Sequence, residues 1–342
     1  MVNRLATLVL LAPALSASAR PRPAPVALQD SAPTAVLTTV ADVPLPGPPV
    51  RFDYQSLDIR SDRLYLAHMG AGEVVVVNVR SRKVVGTVAG LPGVTGVWAV
   101  PALGLVYASV TDLHQVAVID AHTLQVTARI GTIGFPDGIA YAPDQQKVYV
   151  SDASGGGELV IDARAGTVQH TIPLDGEAGN TLFDPGSRCI LVAVATKNQV
   201  WVIDPAGDRV LGRFDLAGAE RPRGMAIDAA RRIAFVANER DARLQIVDLR
   251  TMKVTGSVPV GRDPDVLAFD PGWRRLYVAS EPGLVSVFTE EGSALVHDGD
   301  VQLPHAHSVA VDPRTHLVYL PLQDVDGRPV LRIMAGRAPN AH

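Results

Sequence analysis

Cysteine is almost missing from this chain. Cys189 is the only one in 342 residues, so no internal disulfide can staple the fold. It sits in the apolar run "CILVAV" and reads as a small buried hydrophobe rather than a nucleophile. No C-x-x-C-H occurs, which excludes covalent haem, and no G-x-S-x-G nucleophile elbow is present. Only three tryptophans occur, Trp98, Trp201 and Trp273; they share no register, which excludes a repeated tryptophan-docking motif. The Gly-rich "DASGGGE", residues 152–158, joins two strand patterns and opens no helix, so it is no phosphate loop. The net charge is only -4, which gives no reason to expect nucleic acid as a partner. No stretch carries a sustained helical period, and no apolar run reaches the roughly 20 residues that span a bilayer.

What is present begins with "MVNRLATLVLLAPALSASA". Arg4 precedes a short apolar run, and Ala17-Ser18-Ala19 is a small-x-small site. This pattern predicts a signal peptide over residues 1–19, cleaved after Ala19, and a periplasmic or secreted protein. The run is too short for an anchor, and no cysteine follows it to carry a lipid. Residues 20–33, rich in Pro and Ala, read as a flexible leader, and residues 337–342 as a tail.

Between them one phrase recurs. "PDGIAYAPDQQKVYVSD" (136–152), "PDVLAFDPGWRRLYVAS" (264–280) and "HAHSVAVDPRTHLVYLP" (305–321) share a plan. Tyr65, Tyr107, Tyr149, Leu191, Phe235, Tyr277 and Tyr319 mark it, with steps of 42 residues and one of 44. Each copy holds four short β-branched runs split by Gly, Pro, Asp and Asn turns. Four strands at this period predict a blade of a β-propeller, and seven copies predict seven blades. One four-stranded sheet cannot hide both faces, but blades packed around an axis bury each other. The seventh copy stops after its third run. The segment "TAVLTTVADV", residues 34–43, supplies the fourth strand and closes the ring. The expected fold is therefore all-β: one seven-bladed propeller of four-stranded antiparallel blades over residues 34–336.

The phrases "VYVSD", "VAVID" and "KVVGTV" resemble the YVTN-repeat (YncE-like) seven-bladed propellers of bacterial periplasm and cell surface. "RFDYQSLDIRSDRLYLAH" and "SVAVDPRTHLVYLP" resemble an exported branch of that family. The resemblance spans about residues 36–334. It implies the fold and an envelope location, and says little of function, because these motifs are strand and turn chemistry.

Function has to come from the variable heads of the repeat. Counting back twelve from each marker gives Asp53, Thr95, Asp137, Gly179, Arg223, Asp265 and His307. Counting forward three gives His68, Val110, Asp152, Val194, Asn238, Ser280 and Leu322. Both sets are expected on the upper face, around the channel. Asp53, Asp137, Arg223, Asp265 and His307 are the ligand-binding candidates. His68, His305, His307 and Asp53 are candidate ligands for a divalent metal: zinc, copper or nickel by their imidazoles, calcium by the carboxylate. His68 belongs to the first blade and His305 and His307 to the seventh, which ring closure makes neighbours, and Asp53 and Asp265 flank them.

Three readings follow. The cluster binds a metal. Alternatively, a His beside an Asp acts as general base, as in hydrolase or lyase propellers of the lactonase type. Those generally present carboxylate and asparagine ligands to a central metal, whereas Asn238 is the only amide in the two sets. Or the ring, with Arg51, Arg221, Arg223 and Arg262 among its acids, binds a small molecule, a peptide or an envelope protein without chemistry. The reading preferred is a monomeric exported binding or scaffold protein with its ligand at the upper mouth. The alternative is a metal-dependent hydrolase or lyase at the same place.

Overall fold

The computed structural model describes residues 1–2 and 35–338. Residues 3–19 of the expected signal peptide with its cleavage point, all of the leader and residues 339–342 of the tail lie outside the described residues. From residue 35 onward the chain forms seven four-stranded antiparallel sheets. Blades 1 to 6 span residues 55–89, 94–130, 136–173, 178–215, 222–259 and 264–302. The seventh is built from both ends of the chain. Leu37–Pro44 pairs antiparallel with Arg328–Gly336 and becomes its outer strand. Among the described residues no helix is long and apolar enough to cross a membrane.

Burial explains the run pattern. Second strands such as Arg63–His68 and Lys147–Asp152 are buried at nearly every position, because neighbouring blades cover both faces. Outer strands such as Lys83–Ala89 alternate and face water on one side. All seven marker residues are at most 1% exposed. Cys189 is buried among Leu191, Ala193 and Met225, and burial pushes its thiol pKa up, as suits a packing residue.

Two features shape the channel ends. At the lower end, five inner strands finish in an aspartate that caps the next turn: Asp58, Asp184, Asp228, Asp270 and Asp312. Asp184, for example, accepts hydrogen bonds from the backbone N–H of Gly186 (2.9 Å) and Ser187 (3.2 Å) and from Arg232. At the upper end the pairing slips. Register shifts fall between Val94 and Val97, Pro136 and Ile139, Ala178 and Thr181, Pro222 and Met225, and Pro264 and Val266. Bulges re-aim side chains, and here they turn the head of each strand toward the axis. Gly96 and Gly224 make the approach of neighbouring strands possible. A Cβ on Gly96 would meet the Asp137 carbonyl oxygen at 2.0 Å, and one on Gly224 the Asp265 carbonyl oxygen at 1.8 Å.

Candidate binding site at the channel mouth

The bulged heads enclose a cavity of about 200 Å³ at the upper end of the channel. Asp53, Thr95, Asp137, Arg223 and Asp265, all twelve residues before a marker, line it. The strand's period of two explains which neighbours join them. Residues fourteen before a marker share their face, and Arg51, Phe135 and Asp263 line the cavity too. Of the residues thirteen before, Phe52, Val94, Ala178 and Ala306 pack into the apolar clusters between blades, while Pro264 joins the lining.

His307, only 4% exposed, completes the first set. One donor atom each from Asp53, Asp265 and His307 lie within 4.8 Å of one another. His68 and His305 are not in this group. His68 is fully buried, stacked on Phe52 with ring centroids 4.1 Å apart, and its Nδ1 lies 3.3 Å from Glu73 Oε1. Its edge packs against Gly47, which follows the closing strand. His305 is exposed, in a left-handed turn with φ 63°. The cluster expected from His68, His305 and His307 with Asp53 and Asp265 is thus divided: His307 meets both carboxylates, and the other two imidazoles stand apart.

The reason is one residue of register. Positions three after a marker turn into the packed blade: His68, Val110, Val194, Asn238 and Ser280 are all buried at 0%. Asp152 there accepts backbone N–H groups of Gly134, Phe135 and Gly155 and caps its own loop. Positions four after the marker face the channel, and Met69, Glu239 and Glu281 line the cavity. The three glutamates Glu177, Glu239 and Glu281 went unnoticed in the sequence, though period-two counting from the same markers finds them all.

These glutamates hold the arginines. Arg51 makes a bidentate pair with Glu281, at 2.9 and 2.8 Å. Arg223 donates to Glu177 (2.6 Å) and Glu239 (3.1 Å), and Arg221 bonds the same two acids. Two arginines and two glutamates form one lattice on the blade 4–5 side, with bidentate geometry that fixes the guanidinium planes.

The aspartates have no such partners. Among the described residues, neither the Asp53 nor the Asp265 carboxylate takes a hydrogen bond, and Arg51 stands 3.9 Å from Asp53. Burial, reinforced by the Asp265 and Asp137 charges, pushes Asp53 well above the usual carboxylate range. Burial raises Asp137 to about 6, against the pull of Arg223 and Arg51. Burial and the Asp137 and Glu281 charges raise Asp265 to about 7. His307 moves the other way, to about 4, through burial and the nearby Arg51 charge, so its imidazole is neutral at pH 7. A neutral imidazole beside carboxyl groups poised near neutrality can coordinate a cation or exchange a proton with a bound ligand.

No family model matches the chain. Among curated proteins it is similar to antigen Lp49 of Leptospira interrogans serogroup Icterohaemorrhagiae serovar copenhageni (strain Fiocruz L1-130), with 23% identity over 224 residues. That match covers 64% of this chain and 40% of the relative, so the chain spans well under half of the relative's length. Among solved structures it is similar to Kuenenia stuttgartiensis hydrazine synthase, with TM-score 0.73 and 17% identity over 86% of this chain and 97% of that one. At such identity the likeness speaks for the propeller fold alone.

Proposed function

We propose that this protein is an exported binding protein of the YVTN-repeat propeller branch, which holds a small polar ligand at the upper mouth of its channel. One observation carries the reading: three aspartates with raised pKa values and two anchored arginines converge on a single cavity, while the rest of each blade is regular. Such a concentration of perturbed groups is unfavourable for the fold and typical of a functional pocket. The cavity suits a ligand the size of an amino acid or a sugar acid. Arg51 and Arg223 meet its anionic end; the aspartates meet its amino or hydroxyl groups. The leader pattern ending at Ala19 supports export, as does the repeat's resemblance to envelope propellers.

A thermal-shift panel of amino acids, dipeptides and uronic acids tests the binding. At least one probe raises the melting temperature of the protein and fails to do so in D137N and R223A. Absence of any response, or an equal response in both variants, overturns it. Export is checked separately by the mass of the protein from its native host, which should begin at Arg20.

A hydrolase or lyase at this mouth is the second reading. The near-neutral Asp137 and Asp265 carboxyls favour it, since general acids and bases work best near ambient pH. Turnover of a bound probe, lost in D137N, would establish it.

A further inference from the structure

We propose that Asp53, Asp265 and His307 form a mononuclear site for a divalent first-row transition ion, with zinc the best match to the donors. The proposal rests on the reading of the mouth as a binding site and names what that site holds.

The geometry comes first. The three donor atoms lie within 4.8 Å of one another, drawn from blades 1, 6 and 7 by ring closure. Ligands held tetrahedrally by zinc at about 2.1 Å stand about 3.4 Å apart. A side-chain shift of under about 1 Å at each donor therefore closes the set.

An independent observation points to a ligand. His307 is only 4% exposed, and its Nε2 is buried with no hydrogen-bond partner among the described residues. An unsatisfied buried nitrogen is destabilising unless something fills its lone pair or takes its proton. Its Nδ1 lies 3.8 Å from Glu281 Oε2. That is beyond hydrogen-bond reach, but it puts a carboxylate on the Nδ1 side and leaves Nε2 as the nitrogen without a partner among the described residues. Asp53, 5% exposed, takes no hydrogen bond among the described residues.

Charge and donor type narrow the ion. Two carboxylates balance a dication in a site where Asp53 and His307 are buried and Asp265 is half-buried. Arg51 is engaged by Glu281 through both guanidinium nitrogens and stays 3.9 Å from Asp53, so it does not take the cation's place. The imidazole favours zinc over calcium or magnesium, which prefer all-oxygen sets. Three protein ligands leave a coordination position open toward the cavity, where a ligand oxygen or water can bind.

Zinc titration of the chelator-stripped protein, followed by calorimetry, tests the site. One equivalent binds, and H307A and D53N each weaken it at least tenfold; H297A, which alters an exposed histidine on the outer strand of blade 6, leaves it unchanged. Cobalt(II) added to the unaltered protein gives a visible absorption band, a readout that needs no variant to fold. Failure of the stripped protein to take up zinc or cobalt overturns the site, and so does tight uptake that survives both H307A and D53N. Repeating the thermal-shift panel with chelator present separates the two proposals. A probe response without any zinc uptake sinks the ion and spares the pocket. Zinc uptake with no probe response supports the ion and sinks the small-ligand reading.

Discussion

Asp265 and Asp270 belong to one inner strand, Pro264–Asp270, and stand about 17 Å apart along it. Asp270 accepts the backbone N–H groups of Gly272 (2.9 Å) and Trp273 (3.3 Å) and pairs with His316 at 2.7 Å. Asp265 accepts nothing from the chain among the described residues, and its pKa rises to about 7. The same contrast holds around the ring. At the lower rim, Asp184 and Asp312 are pulled below the usual range: burial works against ionisation, but Arg232 and Arg314 and the turn N–H groups outweigh it. At the upper mouth, Asp53, Asp137 and Asp265 are all pushed up. One residue type, placed at two ends of one strand, does opposite things. Below, the carboxylates stabilise the turns that join strands. Above, they are held at the expense of stability, which is what a site kept for a ligand looks like.

The sharpest way to separate scaffold from mouth is to damage the scaffold far from the cavity. Deleting residues 34–43 removes the partner of Arg328–Gly336 and leaves an open edge on the last blade. Cooperative unfolding should be lost or the protein should aggregate, as seen by calorimetry and light scattering. D184A is the next largest. It strips the turn of its acceptor and leaves the Arg232 guanidinium, whose side chain is 17% exposed, without its carboxylate. A loss of about 3 kcal/mol in urea unfolding is expected, with probe binding at the mouth intact.

Smaller, and of opposite sign at the two ends, is the pH dependence. A carboxyl with a depressed folded pKa contributes stability above its unfolded value of 3.8, and that stability is lost as pH falls through the folded pKa. Asp312 is such a group. Asp137 is the reverse: its contribution is full below 3.8 and is lost as pH rises through about 6. In chelator-containing buffer, D312N should therefore destabilise at pH 7 and approach the parent in acid. D137N should match the parent near pH 4 and exceed it in stability at pH 8. Equal pH profiles for the two variants would erase the comparison.

Much of this was legible in the sequence because the repeat is loud. Tyr65, Tyr107 and Tyr149 at constant spacing give the blades, and the missing run after residue 334 gives the closing strand. The heads at Asp53, Asp137, Arg223 and Asp265 were legible for the same reason, since a fixed count from a buried marker lands on a fixed face. The count was secure before the marker and slipped after it. His68 and Glu281 lie three and four residues past their markers, and one residue of register is the difference between a buried wall and the channel. The Arg51–Glu281 pair was out of reach for another reason: it joins residues 230 apart across the ring closure, and only assembled blades bring them together.

The mouth acids serve a ligand and not the fold. The triple variant D53N/D137N/D265N tests this by urea unfolding at pH 8 with chelator present. Two buried carboxyl groups and the half-buried Asp265 are then replaced by neutral amides of the same shape. A folded protein at least as stable as the parent is expected. A triple variant that is less stable by 1 kcal/mol or more would show that the upper aspartates hold the ring together as the lower ones do.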